Sequence, residues 1–202
     1  ITDMILFECN KNTKQSSIKR IRGGVKMKAV VLHGPNDFAT EEIKKPEIGD
    51  HEMLLKMRKA AICGTDMRIF AGTKTKGIRY PSVVGHEMCG DICEVGKEVE
   101  GFRAGDRVSI ANVIPCGSCP ACLEGRENAC MNRKAIGYEF DGGFEEYVLL
   151  PEILIKSGNV VKLPEDVSYT AGALIEPLAC CIRGLKNAGT GFNDVVLIAG
   201  AG

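Results

Sequence analysis

Four cysteines fall within fifteen residues, in Cys116-Gly117-Ser118-Cys119-Pro120-Ala121-Cys122 and again at Cys130, a C-x2-C-x2-C-x7-C spacing. Four thiolates packed this densely in loop sequence suit a tetrahedral zinc ion with no open position, hence a structural site. An iron–sulfur cluster is the second reading, since C-x2-C-x2-C also occurs in ferredoxins. Against it, Cys130 is not followed by proline and no second cluster is present. Disulfides are the third, and a chain without secretion-signal architecture gives them little support. Arg126, Arg133 and Lys134 are available to offset the −2 charge of a four-thiolate zinc site.

A second set is dispersed: Cys63 in Cys63-Gly64-Thr65-Asp66, His86 and Glu87 after Gly85, and Glu176 before Pro177. Singly each is weak, because a cysteine after an apolar strand is usually a packed core residue. Together they supply sulfur, nitrogen and oxygen ligands from separate segments, the composition of a catalytic zinc site with one position left for water or substrate. Cys89, Cys93, Cys180 and Cys181 sit in apolar contexts and are expected in the core, and His33 and His51 on the surface.

These residues need a scaffold. The 202 residues carry 26 basic and 26 acidic side chains, 45% hydrophobic residues and no Trp. That composition excludes a disordered tail or a polyanion binder driven by bulk charge, and supplies few aromatics for stacking on nucleic acid. No apolar run approaches the roughly 18 residues of a membrane helix. Residues 1–26 stand apart: six cations face only Asp3 and Glu8, a net of +4. We expect this stretch, with Cys9, to be leader-like or disordered and the natural protein to start at Met27, because Arg22-Gly23-Gly24 can be encoded by a ribosome-binding sequence.

From Met27 onward the pattern predicts strands over 28–33, 52–62, 89–95, 106–111, 144–150 and 153–156, broken by Gly, Pro and Asp. Such short strands suggest a small, strongly bent β-barrel. Met53, Leu55 and Met57 form the apolar face of the second strand, and Gly34-Pro35-Asn36-Asp37 is a turn. Ser168 is positioned to cap a helix through Ala171, Leu174, Leu178 and Ile182 to about Gly189. Asp194–Gly202 reads as a buried parallel strand running into Gly200-Ala201-Gly202, the opening of a dinucleotide-binding βαβ unit.

Several of these motifs are shared with one family. Gly85-His86-Glu87-Met88-Cys89-Gly90 through Gly96 and Val99 resembles the signature of zinc-containing alcohol dehydrogenases of the medium-chain dehydrogenase/reductase family. Gly101-Phe102 with Gly105-Asp106-Arg107-Val108, the four-cysteine lobe, Asp141-Gly142-Gly143-Phe144-Glu145-Glu146-Tyr147 and the final Gly-x-Gly follow in the family's order. The resemblance covers residues 27–202. It implies a mainly β, GroES-like catalytic domain over 27–190 with a few helices. Residues 191–202 then open an α/β Rossmann domain that is cut off, so the fragment alone is expected to be inactive.

It also implies two zinc ions per subunit, one held by Cys63, His86 and Glu87 or Glu176 and one by Cys116, Cys119, Cys122 and Cys130. NAD or NADP would be bound through Gly200 and Gly202. Zinc lowers the pKa of an alcohol and the nicotinamide takes the hydride. Thr65 and Glu176 are the catalytic side chains expected to handle the proton. One carboxylate beside a Cys63 thiolate and neutral His86 neutralises Zn²⁺, whereas two leave −1 and a poorer Lewis acid. One glutamate is therefore expected to ligate at a time, Glu87 at rest.

Ala173-Leu174-Ile175-Glu176-Pro177-Leu178 is similar to the polyol and threonine dehydrogenase branch, while liver-type enzymes carry Cys at the position of Glu176. A secondary alcohol, a polyol or diol, is the expected substrate, with an L-threonine 3-dehydrogenase-like enzyme as the alternative. Threonine dehydrogenases usually carry His three residues after the Thr, where this chain has Arg68, read here as a surface charge or a phosphate anchor. The different-class alternative is a zinc-lobe binding module. A cytoplasmic homo-oligomer, dimer or tetramer, without nucleic-acid or membrane partners, is expected.

Overall fold

A computed structural model describes residues 24–200. Residues 1–23, which hold most of the basic leader and Cys9, lie outside the described residues, as do Ala201 and Gly202. The first elements are β1 (Lys26–Gly34), β2 (Asp37–Lys44), β3 (Met53–Ala61), α1 (Gly64–Phe70), β4 (Ser82–Val83) and β5 (Glu87–Val95). They are followed by β6 (Arg107–Ile110), β7 (Val113–Ile114), α2 (Pro120–Leu123), β8 (Lys134–Ala135), β9 (Tyr147–Leu150), α3 (Glu152–Lys156) and β10 (Val160–Lys162). Helices α4 (Tyr169–Ala173) and α5 (Ile175–Asn187) complete the order.

The predicted turn at 34–37 closes a β1–β2 hairpin, with Gly34 opposite Asp37 and Asn36 at φ 61. β1 also pairs with β4, giving a three-stranded sheet. The larger sheet has the order β10-β6-β5-β3-β9. Segment 144–146 ties the two together: the Val30 amide donates to the Phe144 carbonyl at 2.8 Å and the Met57 amide to the Glu146 carbonyl at 3.0 Å. Register shifts at Leu54/Leu55 and Met57/Lys59 bend β3 against β5, which is how a short-stranded sheet curls.

Met53, Leu55 and Met57 face the main core as their spacing predicts, packed with Met88, Ile92, Ile110, Val148 and Leu150. Leu54 on the opposite face is equally buried, so β3 is covered on both faces. α4 lies over β5 and β6. Ser109 Oγ donates to the Gly172 carbonyl at 2.9 Å and Cys89 Sγ to the Tyr169 carbonyl at 2.9 Å. This docking sets where α5, and with it Glu176, begins.

Four expectations are corrected. Residues 153–156 lie in helix α3, not a strand. Three consecutive apolar residues carry no period, whereas Pro151 before the helix, Glu152 in its first turn and Lys156 in its last suit a helix end to end. The helix from Ser168 is two helices, α4 and α5, parted at Leu174. Ser168 does cap α4, its Oγ accepting from the Ala171 amide at 3.2 Å. Pro177 cannot bond the carbonyl four residues back, at Ala173, and clashes with it, so one continuous helix is excluded.

Residues 194–200 form no strand, and Val195, Leu197 and Ile198 are exposed. A parallel strand needs a neighbour, and no described segment pairs with this one. Cys180 and Cys181 are exposed on α5, not in the core, while Cys89 is fully buried and Cys93 half-buried. The hairpin strand β2 and helix α1 carry too little apolar periodicity to have been read from sequence.

Candidate functional site

Cys63 stands where β3 gives way to α1. It is the N-cap of the helix, with its backbone extended at φ −82, ψ 150. Its Sγ accepts from the Thr65 amide at 3.4 Å, and its own amide donates to Asp66 Oδ2 at 2.9 Å. This reciprocal capping box fixes the thiol's direction. Across the sheet, Ala61 pairs with Glu87, so the end of β3 lies against the start of β5 and the 22 residues between Cys63 and His86 are bridged.

Gly85 delivers His86 into that corner. Its φ is +98, and a Cβ there would stand 2.7 Å from Phe144. Gly142 must also lack a side chain, because a Cβ would meet the Gly85 carbonyl oxygen at 2.2 Å. The Gly85-His86 and Asp141-Gly142-Gly143 motifs thus depend on each other for close backbone packing.

The outcome is that one ligand atom each from Cys63, His86 and Glu87 lie within 4.8 Å of one another. Donors around a tetrahedral zinc stand about 3.3–3.8 Å apart, so small side-chain adjustments suffice to share one ion. His86 and Glu87 are buried, at 4% and 6% exposure, and Cys63 is half-buried. His86 Nδ1 faces Asp66 Oδ1 at 3.4 Å without hydrogen-bond alignment, and both atoms are otherwise buried without a partner. With Nδ1 turned to a carboxylate, Nε2 is the nitrogen left for a metal, the usual arrangement of a zinc-binding histidine.

The electrostatics ask for a cation. Burial raises the pKa of Cys63, and the Glu87 carboxylate adds to it against the opposing Thr65 hydrogen bonds. Burial likewise raises Glu87, with Glu176 and Asp66 adding to it. Burial lowers the pKa of His86, but the charges of Asp66, Glu176 and Glu87 outweigh it and the net shift is upward. A divalent cation relieves all three crowded groups at once. The orphaned polar atoms and the S, N, O donor set therefore fit zinc.

Glu176 is half-buried in the first turn of α5, with Cys180 Sγ donating to its Oε1 at 3.8 Å. It stands outside the three-ligand cluster, yet its charge acts on His86, Glu87 and Tyr138. Thr65 Oγ1 accepts from Arg68 Nη2 at 2.9 Å. Gly200 has φ +80 in an exposed segment, and Gly202 lies outside the described residues. Asp66 and Tyr138 escaped the sequence reading. The Cys-x-x-Asp spacing of a capping box is the signal by which Asp66 could have been found. Tyr138 had none: its ring is 5.6 Å from that of His86, and burial pushes its hydroxyl up to about 12.

The ligand atoms of Cys116, Cys119, Cys122 and Cys130 also lie within 4.8 Å of one another. Cys119 caps α2 with Pro120 following, and the Cys116 amide donates to Cys130 Sγ at 3.4 Å. Sulfur pairs stand 3.5 Å (Cys119–Cys122) and 4.0 Å (Cys116–Cys122) apart. A disulfide needs about 2.05 Å, and a zinc tetrahedron with 2.3 Å bonds gives about 3.8 Å, so zinc fits and a disulfide does not. Backbone hydrogen bonds from Ser118 and Cys119 lower Cys116 to about 6, a thiol already inclined to ionise.

The expected counter-charges are only partly there. Arg133 donates to the Cys130 carbonyl at 3.1 Å, but Arg126 turns to Glu124 and Lys134 lies over the Phe140 ring. His33 and His51 are at the surface near Glu41 and Glu152.

The profile of the alcohol dehydrogenase GroES-like domain matches residues 49–165. The chain is 39% identical over 160 residues to an L-threonine 3-dehydrogenase of Shewanella sp. (strain ANA-3), covering 78% of this chain and 45% of that protein. It is 35% identical over 177 residues to the L-galactonate-5-dehydrogenase of Escherichia coli K12, covering 87% and 50%. Among solved structures, a zinc-binding dehydrogenase from Sinorhizobium meliloti 1021 bound to NADP superposes with a TM-score of 0.74 at 37% identity, covering 81% and 46%. The chain spans about half the length of the curated relatives it matches.

Proposed function

This chain belongs to the alcohol dehydrogenase GroES-like domain family, and on that premise we propose that the whole protein is a zinc-dependent dehydrogenase. It transfers a hydride between a secondary alcohol, a polyol or diol, and NAD or NADP. The observation that carries this reading is the convergence of Cys63, His86 and Glu87 in a half-buried corner with Asp66 behind His86. A purely structural zinc protein has use for the four-cysteine lobe but not for a second donor set of mixed type. That contrast disfavours a zinc-lobe binding module.

Bound there, zinc supplies Lewis acidity that makes an alcohol hydroxyl acidic near neutral pH. The chain's own residues then have distinct tasks. Cys63, His86 and Glu87 hold the ion, with Asp66 orienting His86 and the Cys63 amide together. Thr65, whose amide touches Cys63 Sγ, accepts the alcohol's proton at Oγ1 and gives up its own hydroxyl proton to solvent water. Glu176, beside the site, would hold the ion in place of Glu87 or take up a proton. Cys116, Cys119, Cys122 and Cys130 hold a second zinc that serves folding or assembly. Gly200 and Gly202 open the nucleotide-binding unit, and residues 27–190 form the catalytic domain.

Relatives named for L-threonine and L-galactonate both act on hydroxyl-bearing acids, which supports a polar secondary alcohol. Arg68, in place of a histidine that could relay a proton, weighs against L-threonine. Among the described residues no helix is long and apolar enough to cross a membrane, and a cytoplasmic homo-oligomer is the working arrangement. The test is a screen of the zinc-loaded full-length protein against polyols, diols, primary alcohols and L-threonine with both cofactors. Reduction of NAD or NADP by secondary alcohols supports the proposal, and exclusive use of primary alcohols or L-threonine overturns it.

A further inference from the structure

We infer that Arg68, backed by Lys74, forms an anion subsite beside the reacting hydroxyl, so that the alcohol oxidised here carries a carboxylate or phosphate. The inference rests on the dehydrogenase reading and narrows its substrate class. Thr65 and Arg68 are three residues apart on α1 and therefore share a face. Arg68 Nη2 donates to Thr65 Oγ1 at 2.9 Å, and the Thr65 amide donates to Cys63 Sγ at 3.4 Å. The guanidinium is thereby tethered one side chain away from the metal corner.

Lys74 is brought to the same rim by the backbone. The Arg68 carbonyl accepts from the amides of Thr73 (2.9 Å) and Lys74 (3.1 Å) and from Thr73 Oγ1 (3.1 Å). Lys74 Nζ then stands 4.9 Å over the Tyr138 ring, which is itself 5.6 Å from the His86 ring. Among the described residues, neither Arg68 nor Lys74 forms an ion pair with a carboxylate; Lys74 Nζ donates to the Lys76 carbonyl, which leaves two of its three donors for an anion. Lys76 and Arg133 add positive charge around Lys74. Glu139 opposes them and is the largest single charge acting on Lys74, while its Oε2 also accepts from the Ala135 amide at 2.8 Å. Burial and these like charges lower the pKa of Lys74, an energetic cost that a bound anion removes.

Chemistry favours an anion over other uses of Arg68. A guanidinium has five donors and no acceptor, so it cannot relay a proton from Thr65. One donor is spent on Thr65, and the remaining fork matches a carboxylate or phosphate in bidentate fashion. Hydrogen bonds of about 2.8 Å from Thr65 to the reacting oxygen and from Arg68 to the anion bracket the 2.9 Å Arg68–Thr65 contact. End to end they bound the separation of the two substrate groups at about 8.5 Å, within the span of a six-carbon hydroxy acid or sugar-alcohol phosphate.

The test compares galactonate, galactitol 1-phosphate and uncharged galactitol as substrates of the zinc-loaded full-length protein, and measures inorganic phosphate binding by calorimetry. At least one anionic substrate should exceed galactitol in kcat/KM by tenfold or more at low salt, with the advantage shrinking as salt rises. Preference for galactonate identifies a sugar acid, and preference for galactitol 1-phosphate a phosphate ester. Arg68→Ala should lower kcat/KM for the preferred anion 10- to 100-fold, mostly through KM, with a smaller effect on galactitol. Arg68→Lys should recover part of the loss, and phosphate binding should weaken in Arg68→Ala and in Lys74→Gln. Equal or better use of galactitol, with phosphate binding indifferent to both substitutions, overturns the subsite. Phosphate binding that depends on Arg68, in a protein that oxidises no alcohol, retains the anion site and overturns the dehydrogenase reading instead.

Discussion

Asp66→Asn removes one charge from behind the metal corner and changes almost nothing else. Asp66 is 2% exposed, with Oδ2 on the Cys63 amide at 2.9 Å and Oδ1 opposite His86 Nδ1 at 3.4 Å. An asparagine oxygen can still accept the Cys63 amide, so the cap of α1 survives. Its NH2 group is then turned to Nδ1, which must act as acceptor and drive the imidazole hydrogen onto Nε2, the nitrogen needed for metal. Losing a carboxylate partner of a ligating histidine typically costs 10- to 100-fold in metal affinity, about 1.4–2.7 kcal/mol. The metal-free fold should lose only about 1 kcal/mol, the scale of one altered hydrogen bond.

The assay is competition for zinc between the full-length protein and a chromophoric chelator, with the four-cysteine lobe as internal control. One of two zinc ions should be released at 10- to 100-fold lower chelator strength, while the melting profile of the metal-free protein barely moves. Wild-type retention of both ions would refute the role assigned to Asp66, as would parallel loss of both.

Other expectations follow from single observations. Cys119→Ser should lower the melting temperature and soluble yield, because a structural zinc site contributes folding energy directly, whereas Cys63→Ser should keep the fold and abolish oxidation. A Cys119→Ser protein of normal stability that has lost turnover would invert that assignment. Gly142→Ala places a Cβ 2.2 Å from the Gly85 carbonyl and should destabilise by roughly 2 kcal/mol or more, in the range of core overpacking; an unchanged denaturation midpoint would contradict the close packing.

Burial, with Asp141 adding, pushes Glu145 up to about 9, so the folded protein keeps a proton that the unfolded chain releases above about 4.3. Wild-type stability should therefore fall as pH rises between these limits by about 1.4 kcal/mol per unit. Glu145→Gln should lack that slope, and superimposable pH–stability curves would disprove the protonated carboxyl.

What was legible from sequence depended on how local each feature is. The four-cysteine lobe is contained in fifteen residues, so spacing alone brings its thiols together, and the fold has only to supply turns. Cys63, His86 and Glu87 meet because Ala61 pairs with Glu87, a register that no local pattern encodes; the shared family motifs carried that expectation. Asp66 went unread: its Cys-x-x-Asp capping spacing is a local signal, but its place beside His86 depends on another strand. Composition misled where runs were short. The apolar residues of 153–155 suited a strand until Pro151 and the Glu152–Lys156 pair are weighed. Pro177 should have broken the long helix, since its constraint acts on Ala173 regardless of amphipathic spacing. Cys180 and Cys181 look apolar in sequence, yet they fall on the exposed side of α5.

The central claim is that a mixed-ligand zinc at Cys63, His86 and Glu87 performs the chemistry while the four-cysteine zinc does not. The most direct measurement removes zinc stepwise from the full-length protein and records, at each step, zinc content, the zinc X-ray absorption edge and alcohol-dependent reduction of NAD or NADP. The account predicts two zinc ions per chain, one in an all-sulfur shell and one in a mixed shell. Activity should fall in proportion to loss of the mixed-shell ion and return when it is restored. Full activity in protein whose only remaining zinc has four sulfur ligands would contradict it.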